Sequence, residues 1–388
     1  MNAPVYFAQI SDIHVGNNNL NPEAARRNLR AALEEIAAWP VPCACILATA
    51  DLVCSGREDE LREYCELVAS TATPIPILAV PANHDLWGQE GEEAWETLLG
   101  PARHVVDTGG LRIVAMQDIC RREAGGWHAH VSEGQLAWLD QQLAGHEGSA
   151  VLAVHAPILP VGDGYHDVWK ESNADALLDV LRRRRVLAVL SGHWHRLGQW
   201  DADGVRVINS GSLCGWQWTG IPPYHSFPVR AGYSMYRYAG GELTSSWRDL
   251  YWQEMRAQTQ VNLVWVGPVH TGGPRPQVRP AHIFSPVVLE AHTWSLGAAV
   301  SRVQWRCPAG PWQDMYKRSS GLWDVWEASF DAAQVGSGSR TLAVRAWADG
   351  RVAAYDAVPI SVSEAQSPAP CAAVPGREQV FELFYTAD

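Results

Sequence analysis

An α/β layered domain followed by a small all-β sandwich of the immunoglobulin-like kind is the architecture the sequence predicts. Three observations predict it. Up to about residue 215 short apolar runs alternate with amphipathic stretches, from about residue 230 the pattern changes to strand-like alternation, and a Pro/Gly-rich link precedes a last series of short strand-like runs.

In the first region the runs at 5–10, 44–49, 75–80, 111–116, 150–154, 186–190 and 205–208 have strand length and are rich in Val, Ile, Leu and Ala. Residues 22–38 carry Ala25, Leu29, Ala32, Leu33 and Ile36 at helical spacing behind Asn21 and Pro22, a cap and a first position. Residues 135–143 repeat the pattern with Leu136, Leu139 and Leu143. A third stretch, from Ala174, ends in Arg182 to Arg185, where cations suit a helix C-terminus. Residues 233–238, Gly240-Gly241 and 243–247 predict a β-hairpin that closes this domain, set at 1–255. A linker follows at 256–280, with Gly272, Gly273, Pro274, Pro276 and Pro280 unsuited to helix or central strand. The β-sandwich is set at 281–363, on runs at 283–289, 298–306, 322–330, 340–347 and 353–362. In the tail, 364–388, the run from Val380 to Tyr385 is apolar enough to dock as a strand.

Composition narrows the function classes. A chain of 388 residues with a net charge of −12 and no basic footprint argues against a nucleic-acid polymer as partner. No apolar run approaches the roughly 20 residues of a membrane helix, so no membrane partner is expected. Residues 1–16 lack a basic region, an apolar core and a small-residue cleavage site, which places the expectation in the cytoplasm. The eight cysteines form no CxxC pair and mostly sit in apolar, strand-like contexts, a pattern of reduced core thiols rather than disulfides or a zinc knuckle.

Five polar motifs stand at or just beyond the ends of the predicted strands: Asp12-Ile13-His14, Asp51, Asn83-His84-Asp85, His155, and His193-Trp194-His195. Singly each has an ordinary explanation, since an Asp after a strand caps a turn and a buried His satisfies itself locally. Together they differ, because open α/β sheets bind ligands at the carboxyl ends of their strands, and this set supplies donors of metal-ligating type to one edge.

The ordered set resembles the signature of the calcineurin-like metallophosphoesterases over residues 8 to about 196. The segments Asn209 to Trp218 and Arg230 to Tyr233 resemble the end of the catalytic domain in members that carry an extra C-terminal β-domain. The resemblance implies a four-layer αββα sandwich and two divalent metal ions. Asp12, His14 and His195 would hold one ion, Asn83, His155 and His193 the other, and Asp51 would lie between them. Mixed imidazole and carboxylate donors suit Mn, Fe, Zn, Co or Ni better than Ca or Mg. A hydroxide bridging the two metals would attack phosphorus in line. His84 matches the position that stabilises the phosphoryl charge or protonates the leaving oxygen, and Asp85 either orients His84 or caps the turn. His193 and His195 need a turn between them, which Gly192 makes easy.

Two departures from the family pattern are Ala50 before Asp51 and Ala82 before Asn83, where glycine is usual; a positive φ at either would cost on the order of 1 kcal/mol. Cys54 stands where purple acid phosphatases carry a ligating tyrosine, so a coloured ferric site is not expected, and Cys54 reads as a packed thiol.

The overall pattern resembles the class III cyclic-nucleotide phosphodiesterase branch, which implies a small phosphodiester substrate. The alternatives are a phosphomonoesterase acting on a nucleotide or small phosphorylated metabolite, and a non-catalytic binding protein with a vestigial metal site. Tyr165, His166, Trp216 and Trp218 would stack a planar leaving group or, alternatively, pack the second domain on the first. The tryptophan-rich β-domain, with Trp305, Trp312, Trp323, Trp326 and Trp347, suits a scaffold or a homodimer surface.

Overall fold

A computed structural model of the chain describes residues 3–17, 21–87, 91–121, 126–158, 172–195, 197–202, 204–215, 231–250, 259–268, 281–283, 287–307 and 310–362. Tyr165, His166, Trp216, Trp218 and the tail 364–388 lie outside the described residues. The described chain divides into two compact units, one ending at Leu250 and the other beginning at Thr259.

The first unit opens with β1 (Val5–Ile10), α1 (Pro22–Ala38), β2 (Cys43–Thr49), α2 (Glu58–Ser70), β3 (Ile77–Val80) and α3 (Gly91–Leu98). It continues through β4 (Arg103–Thr108), β5 (Leu111–Met116), β6 (Ile119–Arg121), β7 (Trp127–Ala129), α4 (Glu133–Ala144) and β8 (Ser149–Ala153). It closes with α5 (Ala174–Arg183), β9 (Val186–Ser191), β10 (Gly198–Ala202), β11 (Val205–Asn209), β12 (Gly232–Ala239) and β13 (Glu242–Asp249).

Two mixed sheets result, in the orders β13-β12-β1-β2-β3 and β10-β11-β9-β8-β5-β4. Strands β1, β2 and β3 run parallel in the first sheet, and β5, β8, β9 and β11 run parallel in the second. Each parallel group therefore delivers its carboxyl-terminal loops to a single edge, the condition for residues distant in sequence to meet. Phe7, Leu47 and Val80 share one core with Ile113, Val151 and Leu190, so side chains from the two sheets pack against each other. A second core joins the other face of the six-stranded sheet to Leu139 and Leu143 of α4 and Leu177 and Leu181 of α5. α1 begins as its sequence directs, with Pro22 in its first turn and the Asn21 side chain accepting from the Ala24 amide at 3.2 Å.

A buried polar knot ties α1 to the hairpin β12–β13. Arg248 donates to Glu35 at 2.7 Å, the Tyr233 hydroxyl donates to the same Glu35 oxygen at 2.7 Å, and Trp39 donates to Tyr233 at 2.7 Å. Arg248 is fully buried and also lies over the Trp39 ring. The hairpin turns at Gly240 and Gly241, both at positive φ, as a two-residue primed turn requires.

The second unit comprises β14 (Thr259–Pro268), β15 (Ala281–Ile283), β16 (Val287–Ser295), β17 (Arg302–Arg306) and β18 (Gln313–Asp314). Strands β19 (Tyr316–Ser319), β20 (Asp324–Phe330), β21 (Gly338–Ala348) and β22 (Arg351–Val362) complete it. Its sheets run β14-β16-β20-β19 and β15-β22-β21-β17-β18, and Leu289, Phe330, Trp305, Val344 and Ile360 from the two share one core. Residues 259–268, placed in the linker by their closeness to the Pro/Gly-rich segment, instead form β14, which pairs along its length with β16. Among the described residues no helix is long and apolar enough to cross a membrane.

Candidate metal centre

Every donor stands on a loop that leaves a parallel strand. The loop after β1 is zipped to the loop after β2, since the amides of Ile13 and His14 both donate to the Asp51 carbonyl at 2.9 Å and Val15 donates to Leu52 at 2.9 Å. The loop after β9 closes on the same place: the His193 amide donates to both oxygens of Asp12 at 3.1 Å. Asp12, His14, Asp51, His193 and His195 all take φ between 48° and 70°, a region L-residues seldom occupy, though Asp and His tolerate it best. Gly192, expected to make the turn, is not among the positive-φ residues; His193 and His195 turn the chain themselves. Its role is close approach, since a Cβ there would run into the Ser11 hydroxyl and the Asp12 carboxylate.

These loops bring six of the predicted donors together. His195 Nε2 lies 3.2 Å from Asp12 Oδ1 and 3.2 Å from His14 Nε2. On the other side, His155 Nε2 lies 3.0 Å from His193 Nδ1. Asp51 Oδ2 stands between the two groups, 3.3 Å from His155 Nε2 and 3.9 Å from His14 Nε2. The His155 Nδ1–H donates to the Thr49 carbonyl at 3.0 Å, which orients the ring and makes Nε2 the atom turned to Asp51. Asn83 is buried, and among the described residues its Oδ1 has no hydrogen-bond partner. A buried amide oxygen left so costs about 1–3 kcal/mol unless something outside the protein's own hydrogen bonds satisfies it. That orphaned acceptor and the crowding of imidazole and carboxylate donors are what a pair of divalent cations would fit.

Without a cation, the buried imidazoles and carboxylates charge one another. Burial disfavours charge on His155, but the Asp51 and Asp12 carboxylates outweigh it and push the group up to about 10. Burial and the neighbouring His155 push His193 down to about 3. Burial works against ionised Asp51, yet His155 and His84 hold its pKa well below the usual carboxylate range.

His84 donates from Nδ1 to the Cys54 carbonyl at 2.7 Å, its amide donates to Asp51 Oδ1 at 3.1 Å, and its ring meets His14 edge-on. Asp85 is engaged elsewhere than the expected orienting role: its oxygens accept from the Val53 amide at 3.1 Å and the Ala82 amide at 3.0 Å. It joins the loops after β2 and β3 through amides that precede it in the chain, rather than capping the turn that follows, and burial pushes its carboxyl up to about 8. Ala50 has φ 70° and carries the strain that the glycine-less sequence implied, whereas Ala82 is not among the positive-φ residues. The Cys54 thiol is buried and donates to the His14 carbonyl at 3.2 Å.

Three neighbours of the centre escaped the sequence reading. Asp118, beyond β5, accepts from the His155 amide at 3.0 Å and the Ala156 amide at 2.7 Å, clamping the His155 loop. Cys214, beyond β11, sits with His14 and His195 so that the candidate ligand atoms of all three lie within 4.8 Å of one another. Trp87, 62% exposed, stands 5.2 Å from the His84 ring. For Asp118 and Cys214 the usable signal was position, a polar side chain just past a strand on the donor edge.

A calcineurin-like phosphoesterase family model matches residues 5–197. A probable cyclic nucleotide phosphodiesterase of Psychrobacter arcticus is 23% identical over 264 residues, covering 63% of this chain and 92% of that protein. The 3',5'-cyclic adenosine monophosphate phosphodiesterase CpdA of Escherichia coli is 28% identical over 217 residues, covering 55% of this chain and 77% of its own length. Among solved structures, a purple acid phosphatase from yellow lupin seeds superposes with a TM-score of 0.50 at 11% identity, a likeness of fold. The match covers 64% of this chain and 52%, about half, of the lupin protein.

Proposed function

Residues 5–197 place this chain among the calcineurin-like phosphoesterases, and on that premise we propose that it hydrolyses a small phosphodiester, such as a cyclic nucleotide, at a centre for two divalent metal ions. The observation that carries the reading is Asp51 Oδ2, set between His155 Nε2 at 3.3 Å and His14 Nε2 at 3.9 Å, so that one carboxylate oxygen serves two donor groups. Asp12, His14 and His195 form one group, Asn83, His155 and His193 the other. When bound, the metals supply charge for the phosphoryl oxygens and activate water near neutral pH.

The protein's own groups do the rest. Asp51 fixes the spacing of the two positions. Thr49 and Asp118 set the tautomer and the backbone of His155. His84, with Nδ1–H held by the Cys54 carbonyl, has Nε2 left for substrate: with a second proton taken up there from solvent it stabilises the phosphoryl charge or passes that proton from Nε2 to the leaving oxygen. The names carried by the relatives from Psychrobacter and Escherichia support a cyclic phosphodiester over a monoester. The metals in this reading are Mn, Fe, Zn, Co or Ni, and the two β-sheets of the second unit form an immunoglobulin-like sandwich that serves as scaffold or homodimer surface. The four-layer αββα arrangement is supported by the core between the sheets and the packing of α4 and α5 on one of them.

The test compares purified protein with added Mn on bis(p-nitrophenyl) phosphate, p-nitrophenyl phosphate and 3',5'-cyclic nucleotides. Preferential diester turnover is expected; a strong monoester preference overturns the substrate class.

A further inference from the structure

We propose that Cys214 is a metal ligand, a thiolate donor at the position shared by Asp12, His14 and His195. This rests on the two-metal reading above and makes its two positions chemically unequal.

The sequence places this thiol by backbone pairing. Past β11 the chain runs alongside the loop after β1: the Leu213 amide donates to the Ser11 carbonyl at 2.8 Å and the Cys214 amide to the Asp12 carbonyl at 3.1 Å. Asn28 of α1 donates to the Leu213 carbonyl at 3.0 Å and holds the segment from behind. Gly215 then takes φ 76°, turning the chain immediately after the thiol. Cys214 is 8% exposed, His14 1% and His195 7%, and their three candidate ligand atoms lie within 4.8 Å of one another. Asp12 Oδ1, 3.2 Å from His195 Nε2, would add a carboxylate to these two imidazoles and one sulfur.

The two positions then differ in charge and softness. The first gathers Asp12, Cys214 and its share of Asp51 around two histidines. The second has neutral Asn83, His155 and His193 with its share of Asp51. Thiolate favours Zn, Co or Fe over Mn and Mg, so the first position selects the softer ion and the second accepts a harder one. As the sulfur–metal bond forms, the S–H proton leaves to solvent, and no oxidant or reductant is needed.

The test is cobalt(II) loading of the full chain with metal content, circular dichroism and absorption read together. Expected are two cobalt ions per chain and a near-ultraviolet sulfur-to-cobalt band that is lost in Cys214→Ser and Cys214→Ala but kept in Cys54→Ser, whose thiol is bonded to the His14 carbonyl. Zinc affinity at that position should fall by more than the roughly 10–100-fold that loss of a mere supporting partner costs in Cys214→Ser, with manganese affinity at the other position little changed. Two cobalt ions without a sulfur band, or a band that persists in folded Cys214→Ser, overturns the ligand assignment and leaves the two-metal centre standing. Failure to bind cobalt overturns both.

Discussion

Ala50 and Ala82 offer a matched pair, because both are fully buried alanines preceding a donor and only Ala50 has a positive φ, at 70°. Replacing either by glycine removes a buried methyl, about 0.8 kcal/mol, and adds backbone freedom to the unfolded chain, about 0.5–1 kcal/mol. At Ala82 nothing offsets this, so Ala82→Gly should destabilise by about 1.5 kcal/mol. At Ala50 the substitution also releases left-handed strain of about 1–2 kcal/mol, which brings the net change near zero. A chain of two compact units need not unfold in one step, and a bulk signal would then mix transitions. The assay is therefore peptide-resolved hydrogen exchange of β1 and β2 through a urea series at fixed metal concentration. Equal destabilisation by the two substitutions would refute the claim that the loop before Asp51 is held in strain.

Four further outcomes follow from the same geometry. Asp51→Asn should abolish turnover and weaken both metal positions while the fold survives; unchanged hydrolysis would remove its bridging role. His84→Ala should lower kcat by about 10²–10⁴-fold with metal content retained, and a loss of metal along with the rate would make His84 a ligand instead. Glu35→Gln removes the carboxylate charge that faces the buried Arg248 and should cost about 3–5 kcal/mol by hydrogen exchange of α1 through a urea series; a cost below about 1 kcal/mol would show that the charge of Glu35 is not what holds α1 to the hairpin. Asp118→Asn can accept with one oxygen where two amides now donate, so it should cost about 1–3 kcal/mol and weaken metal binding; metal affinity equal to the unsubstituted protein's would limit Asp118 to the fold.

The donors were legible because each of them stands at the end of an apolar run of strand length, and the parallel order that aligns those ends follows from helices between strands. Asp118 and Cys214 share that position but carry no motif of their own: a carboxylate that accepts two amides looks in sequence like any turn residue, and a thiol after an apolar run looks like core. The helix α2 was missed because its buried residues Glu60, Leu61, Tyr64 and Leu67 make a narrow stripe on a heavily charged segment. β14 was missed because it abuts the Pro/Gly-rich segment, and its ladder with β16 is a long-range fact with no local signature. The hairpin β12–β13 was legible because its turn demands two positive-φ residues and the sequence supplies Gly240 and Gly241.

Gly192 shows how a local rule can find the right residue for the wrong reason. A glycine before two histidines reads as a turn maker, but the turn is made by histidines at φ 70° and 51°. The glycine's missing Cβ lets the His193 amide reach the Asp12 carboxylate at 3.1 Å, an approach any side chain would block. Strain and contact are thus divided among neighbours: His193 and His195 bear the unfavourable backbone, Gly192 admits the carboxylate, and Asp12 repays both through hydrogen bonds in a buried, low-dielectric place where they count most. Backbone held so cannot drift to other conformations without losing those bonds. This is why a cage assembled from loops keeps the rigidity that the parallel strands beneath it would otherwise have to supply.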